Sequence, residues 1–219
     1  MIPSSPMQDH LPGTLARRTG WLLAGLLLGV TGCSIFPVPS ANSTRYYVLT
    51  GPGLQAEEMR QGGGTLRIGL KAVEVAPYLR KPEIAVRRDA NELVYDDYSR
   101  WAEPLEAGIA RIVQARLLAG PAVGRVFTAP FPFDQEHDYD IALNIIRCEG
   151  VKDGRTVALF AAAVEITTGG DDAKVVARKV FQAPDGAWDG KDYAALAGAL
   201  SGGVAALCDD LLAALPDKK

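Results

Sequence analysis

Cys33, His137 and Ser201 are the residues of this 219-residue chain whose types and neighbours could do chemistry. Cys33 ends the run Val30-Thr31-Gly32-Cys33, directly after the apolar stretch Trp21–Gly32. A thiolate is a strong nucleophile, so a cysteine at that place is a candidate for covalent modification. His137 lies in "DQEHDYD" with Asp134, Glu136, Asp138 and Asp140. That cluster could be a metal site or an acid–base centre. Equally, it is what a solvated acidic loop entering a strand looks like, and it lacks the spaced second histidine of the usual zinc patterns. Ser201, in "GALSGG", falls short of the G-x-S-x-G elbow and lies on a helical stripe. "QGGGT" at 61–65 lacks the Lys-Ser/Thr of a phosphate loop. No catalytic set, metal or cofactor is therefore expected.

The elements upstream give Cys33 its chemistry. A membrane-spanning helix needs about 20 apolar residues, and Trp21–Gly32 supplies twelve. Arg17 and Arg18 precede it, and small residues close it, which is the layout of a secretory signal peptide. An aliphatic residue, two small ones and a cysteine resemble a bacterial lipobox. The resemblance implies that Cys33 is alkylated with a diacylglyceryl group, that the chain is cut before it, and that the new amine is acylated with palmitate-type chains. A plain secretory signal with a chance cysteine, or an uncleaved anchor, are the alternatives. Arg17-Arg18 also suggests a twin-arginine signal, which the following Thr-Gly-Trp fits poorly. Each buried CH₂ contributes about 0.8 kcal/mol, so two or three chains on one residue would make release very slow. Ser34 follows the cysteine; by resemblance to enterobacterial sorting rules it favours the outer membrane, facing the periplasm.

The expected organisation is a lipoprotein signal peptide at 1–32, a lipidated Cys33 with a flexible tether at 33–45, and one domain at 46–219. "SIFPVPSANSTR" has the Pro, Ser and Asn content of a tether, and its twelve residues reach roughly 40 Å when extended. The whole chain carries 23 basic and 26 acidic residues. Removing 1–32 takes away Arg17, Arg18 and Asp9, leaving 187 residues with 21 basic and 25 acidic side chains. That balance disfavours nucleic acid as a partner and a polybasic grip on a bilayer. Cys148 and Cys208 remain, either as two core thiols or as a strand-to-helix disulfide in a compartment that permits one.

The mature chain reads as an α+β two-layer domain, a mostly antiparallel sheet with two helices packed on one face. Tyr46–Leu49 reads as a first strand. Leu66, Ile68, Leu70 and Ala72 alternate with polar or small residues, and at Val73 and Val75 the apolar phase flips, which predicts a β-bulge. Pro77-Tyr78-Leu79 breaks the strand, and Ile84–Val86 and Leu93–Tyr95 form a short pair. A helix is expected from about Ser99 to Ala119, with Leu105, Ile109, Ile112, Val113 and Leu117 as its stripe. Val123–Thr128 reads as a strand. Tyr139–Val151, Thr156–Thr167 and Lys174–Gln182 read as an antiparallel meander turned at Asp153-Gly154 and Gly169-Gly170-Asp171. A last helix is expected from about Lys191 to Leu215. The sum is about seven strands and two helices.

"YYVLTGP", then "VEVAPYLRKPEIAVRRDANELVYDDYSRWAEPLEAGIARIVQARL", resemble the ABC-type transport auxiliary lipoproteins, typified by the paraquat-inducible protein C. The carrying elements are Tyr46–Leu49, Pro77–Arg87 and Arg100–Leu105, and the likeness is strongest over 46–118. It implies a docking component without catalysis of its own. Its implied partners are the outer membrane, through the lipid anchor, and a mammalian-cell-entry-type substrate-binding protein of an ABC transporter that moves lipids or other hydrophobic compounds between the two membranes. A second copy of the chain is a further candidate partner. For the partner surface the sequence offers Tyr98, Arg100, Trp101 and Pro104, where aromatic and Arg side chains of the hot-spot type cluster at an expected helix start. Against this, Trp101 could simply fill the core under that helix. A free sheet edge is another way to take a partner strand. Two other function classes compete. One is a lipid-binding lipoprotein with a groove between sheet and helices, lined by residues such as Leu70, Ile145 and Phe160. The other is an envelope hydrolase in which His137 meets a nucleophile.

Overall fold

A computed structural model describes residues 43–51, 63–131 and 135–216. The leader, Cys33 and the tether up to Asn42 lie outside them, as do most of the 51–65 loop and Asp134. The described chain is α+β. Its strands are β1 (Arg45–Tyr47), β2 (Leu66–Leu70), β3 (Glu74–Val75), β4 (Glu83–Asp89), β5 (Glu92–Trp101), β6 (Val123–Thr128), β7 (Tyr139–Asp153), β8 (Arg155–Thr168), β9 (Val175–Gln182) and β10 (Gly186–Ala187). Its helices are α1 (Leu105–Ala119) and α2 (Tyr193–Ala214), and a 3₁₀ turn runs over Pro77–Arg80.

The sheet is organised around β7. One edge of β7 pairs with β8 along its whole length, from Tyr139↔Thr168 to Asp153↔Arg155. The other edge takes three partners in turn, all parallel: β2 at Tyr139–Ile141, β3 at Asn144–Ile145 and β4 at Gly150–Val151. β6 extends the sheet beyond β2, and β5 then β1 extend it beyond β4. β9 and β10 share the far edge of β8. The long antiparallel ladders are local hairpins, with Gly154 in the positive-φ conformation that the tight β7–β8 turn needs. The parallel pairings join segments far apart in sequence.

The phase flip after Leu70 has the predicted cause. Leu70 pairs with Ile141 and Glu74 with Asn144, so Lys71–Val73 stand against Ala142 and Leu143, one residue in excess. Leu66, Ile68 and Leu70, then Val73 and Val75, are consequently all buried. The α1 stripe of Leu105, Ile109, Ile112, Val113 and Leu117 is buried, as are Leu196, Leu200, Val204, Leu207 and Leu211 of α2. α2 is capped by the Asp192 carboxylate, which accepts from the backbone N–H groups of Ala194 and Ala195. A Cβ on Gly203 would come within 2.6 Å of the Phe160 Cβ, so glycine lets α2 settle directly on β8. α2 is long and apolar enough to cross a membrane, yet its leucine stripe is spent on the core of this domain.

The α1 boundary differs from expectation. The helix begins at Leu105, and Ser99–Trp101 belong to β5. Tyr46 and Tyr47 register in parallel with Arg100 and Trp101 and hold them extended. Pro104, at φ −52° and ψ 133°, occupies the N-cap position, and the residue before a proline is itself biased away from helix. Arg100 and Trp101 therefore sit at a strand end, three or more residues before the helix.

Candidate functional site

The end of the sheet built by β1 and β5 carries exposed aromatic side chains close to where the chain enters the domain. Tyr46 is 65 % exposed and Tyr98 49 %, and Val48 is also exposed. Tyr46 pairs with Arg100, which puts those two side chains on one face. Arg100 Nη2 lies 3.1 Å from Glu83 Oε1, and its Nε–H finds no acceptor among the described residues. β5 projects Tyr98 through a local insertion. Ala85 pairs with Tyr95 and Glu83 with Arg100, so residues 96–99 stand against Ile84 alone. The Tyr98 N–H donates to Asp96 Oδ1 and closes that bulge.

The opposite side of the same strands faces inward. Trp101 is only 7 % exposed and Ser99 is buried. Of the four residues proposed from sequence, Tyr98 and Arg100 reach the surface and Pro104 is exposed at the start of α1. Trp101 is part of the core and is removed from the docking set. Tyr46 and Val48 are exposed at the same end of the sheet. Their signal was the alternation in "YYVL", which places Tyr46 and Val48 on one face and Tyr47 and Leu49 on the other.

Two adjoining clefts flank Tyr98, of about 330 and 440 Å³, both lined by Asp96, Tyr98, Lys191 and Tyr193. The Tyr193 hydroxyl is pushed up to about 12 by burial and by the Asp96 carboxylate. Asp189 is held below the usual carboxylate range by the backbone N–H groups of Asp192 and Lys191, which fixes the loop leading into α2. The segment after β1 is pinned to both helices. The Thr50 N–H donates to Ser201 Oγ at 2.9 Å, and Arg111 Nη2 donates to the Leu49 carbonyl at 3.1 Å. Ser201 Oγ in turn donates to the Ala197 carbonyl at 2.7 Å. The hydroxyl is thus a structural tie between β1 and α2.

His137 is enclosed. Its ring lies against Phe127 and Phe131, with centroids 4.9 and 4.5 Å away, and its Nδ1 is 3.1 Å from Asp140 Oδ1. Asp138 turns the other way, accepting from the Arg67 backbone N–H at 2.7 Å. Asp138 therefore serves the neighbouring β2 and Asp140 its own segment, and the His137 ring is packed among aromatics. Cys148 and Cys208 are both free and buried, so they are two core thiols and form no bridge. Burial pushes the Cys208 thiol up to about 12 and raises that of Cys148 as well.

One charged pair was not foreseen. Glu149 is 0 % exposed and takes a two-pronged bond from Arg87, Nε at 2.7 Å and Nη2 at 3.2 Å. The Arg87 guanidinium lies 5.8 Å from the centre of the Tyr78 ring, and the Tyr78 hydroxyl donates to the Ile146 carbonyl. Burial and the Glu149 carboxylate raise the Tyr78 hydroxyl, and the bond to Glu149 raises Arg87. The cause is a register shift between Ile145 and Arg147, which breaks the alternation running through Ile141, Leu143 and Ile145. The break is visible in the sequence as the change to even-numbered Cys148.

Leu70, Ile145 and Phe160 are packed in the core, so they line no groove between sheet and helices. An open groove of about 640 Å³ lies on the other face of the sheet. Its cross-strand rows are Glu74–Asn144–Ala163–Val180 and Ala142–Glu165–Arg178.

The sequence matches the family described as ABC-type transport auxiliary lipoprotein component over residues 47–211. A search of curated proteins finds no match. Among solved structures, a Xanthomonas campestris protein of the DUF330 family superposes with a TM-score of 0.61 at 19 % identity, covering 77 % of this chain and 92 % of that one. A second crystal structure, of an uncharacterized protein, gives 0.56 at 17 % identity, with 77 % and 95 % covered. At those identities the likeness is one of fold. The family match spans both helices and the whole β7–β9 meander, and with it this chain belongs to the ABC-type transport auxiliary lipoprotein components, a family whose description implies a place in the cell envelope.

Proposed function

We propose that this chain is a lipid-anchored periplasmic adaptor. Cys33 carries the acyl chains and holds the protein to the outer membrane, the stretch to Arg45 is the leash, and the folded domain docks a mammalian-cell-entry-type substrate-binding protein of its ABC transporter. The system moves lipids or other hydrophobic compounds between the membranes, and this component adds no catalytic step. The observation that carries the reading is the set of exposed side chains at the β1–β5 end of the sheet: Tyr46 beside Arg100, Val48, and Tyr98 between its two clefts. Large aromatic and Arg side chains are the residue types that dominate binding energy at interfaces, and here they lie a few residues from Ser43, on the side where a leash would enter. A second copy of the chain is the other partner this patch suits.

Two measurements test it. Intact mass of the protein extracted from membranes should show diacylglyceryl and acyl groups on Cys33, and Cys33→Ala should remain an uncleaved precursor. An unmodified Cys33 in the native membrane protein would overturn the anchor. Affinity purification of the tagged protein from detergent-solubilised membranes should bring down the cell-entry-type protein, and failure to do so would overturn the docking role.

The reading of a lipid-holding lipoprotein survives in a changed place. The inner face is filled, and the groove bounded by Ala142, Ala163 and Val180 is the space that an acyl chain would use. Co-extraction of one tightly bound lipid per chain would favour it.

A further inference from the structure

The far end of the sheet, beyond β8, shows a different surface. β9 pairs with β8 and with no other strand among the described residues. The Ala183 N–H donates to the Phe160 carbonyl, which sets the alternation of that antiparallel ladder. Lys179 and Phe181 exchange bonds with β8, and the backbone groups of Arg178, Val180 and Gln182 point away from it. β9 is eight residues long. Val175, Val176 and Val180 are exposed, Val180 by 68 %.

Natural edges of this length are usually guarded by charge, and this one is charged with a single sign. Lys174 to Gln182 contains Lys174, Arg178 and Lys179 and no carboxylate, in a chain that is acidic as a whole. Two of these cations already meet an acid: Arg178 Nε lies 2.6 Å from Glu165 Oε2 across the sheet, and Lys179 Nζ 2.8 Å from Asp210 Oδ1 on α2. Their outer sides are open. A strand laid along β9 would continue the rows Glu165–Arg178 and Ala163–Val180. Opposite-charge and apolar cross-strand pairs then call for carboxylates opposite Arg178 and Lys179 and for apolar residues opposite Val180 and Phe181. A second copy of β9 has no carboxylate to offer, so self-pairing leaves both cations without one.

We propose that the free edge of β9 is a strand-addition site for an extended segment of a protein partner, in which two adjacent carboxylates are flanked by apolar pairs. Backbone bonds to Arg178, Val180 and Gln182 supply affinity. The charge pairs fix register, and the open groove beside Val180 accepts the partner's apolar side chains. This surface is distinct from the Tyr46–Tyr98 patch, and neither requires the other.

The test uses the full-length chain in detergent and a fluorescein-labelled peptide with the core Val-Val-Glu-Glu-Val-Val. Controls are the same peptide with Lys-Lys for Glu-Glu, and one with proline replacing a central valine. The acidic peptide should bind saturably, about tenfold or more tighter than the basic one, and more weakly as salt rises. Binding should slow hydrogen exchange at the amides of Arg178, Val180 and Gln182 and leave Lys179 and Phe181 unchanged. Val180→Asp and Arg178→Glu, with far-UV circular dichroism unaltered, should each lose the binding. Equal affinity for the acidic and basic peptides, protection at other amides, or no binding of the acidic peptide overturns the proposal. So does sedimentation showing that β9 pairs with itself in a dimer that Val180→Asp dissolves.

Discussion

The two faces of β8 belong to one largely apolar strand and do opposite things. On one face Phe160, Ala162, Val164 and Ile166 lie under the helix layer and are sealed from water. On the other, Ala163 and Glu165 line an open groove between β7 and β9. Composition separates the faces only in part: the sealed one carries Phe160, Val164 and Ile166, the open one Ala161, Ala163 and Glu165, within a run that is otherwise apolar. What seals the first face is a helix with a glycine aimed at Phe160.

Removing a buried charge or buried mass should have the largest effects. Glu149→Ala strands the mostly buried Arg87 charge, and breaking such a pair from one side costs about 3–5 kcal/mol; urea unfolding should show the midpoint fall by that measure. Leu200→Ala, fully enclosed on α2, should cost about 2–5 kcal/mol by the same assay. Gly203→Ala drives a methyl toward Phe160 and should cost about 1–3 kcal/mol through overpacking. On the open side, Arg178→Ala removes one ion pair whose arginine is largely exposed and should shift stability by about 0–1 kcal/mol. If Arg178→Ala matched Leu200→Ala, the contrast between the faces would be false.

Alkaline pH gives a smaller and more diagnostic effect. The Cys208 thiol and the Tyr193 hydroxyl both have raised values, about 12 in the folded chain, against roughly 8.5 and 10 for the unfolded groups. A raised value means that the neutral form is favoured by folding. The contribution is complete below the unfolded value and disappears as pH climbs toward the folded one. Stability should therefore be flat below about pH 8 and decline above it as Cys208 and then Tyr193 come under strain. Cys208→Ala should lessen the first part of the decline, which Cys148 shares, and Tyr193→Phe the second, which Tyr78 shares, in unfolding curves collected at stepped pH.

The meander was legible because the first half of β7 alternates with period two and the turns are written in glycine. The helix stripes were legible for the same local reason, as was the extra residue after Leu70. The parallel pairings were not, since nothing near Ser99–Trp101 announces a strand arriving from Arg45–Tyr47. That single non-local contact moved the start of α1 and carried Trp101 into the core. Glu149 was not legible, because the alternation of β7 changes phase at the Ile145–Arg147 bulge. Of the exposed side chains at the β1–β5 end, Tyr98 and Arg100 were readable from residue type, whereas Tyr46 and Val48 stand out only once β1 is known to lie at an edge. Cys33 rests on its motif alone.

The central claim is that the β1–β5 end of the domain holds the transporter's cell-entry-type protein while Cys33 holds the membrane. A photo-crosslinking amino acid placed at Tyr98 of the full-length protein, activated in intact cells and followed by mass spectrometry of the membrane fraction, tests it most directly. The account predicts a dominant adduct with that protein. An adduct at Tyr98 with unrelated proteins only, or no adduct while the same probe at an exposed α1 position captures the transporter, would contradict it.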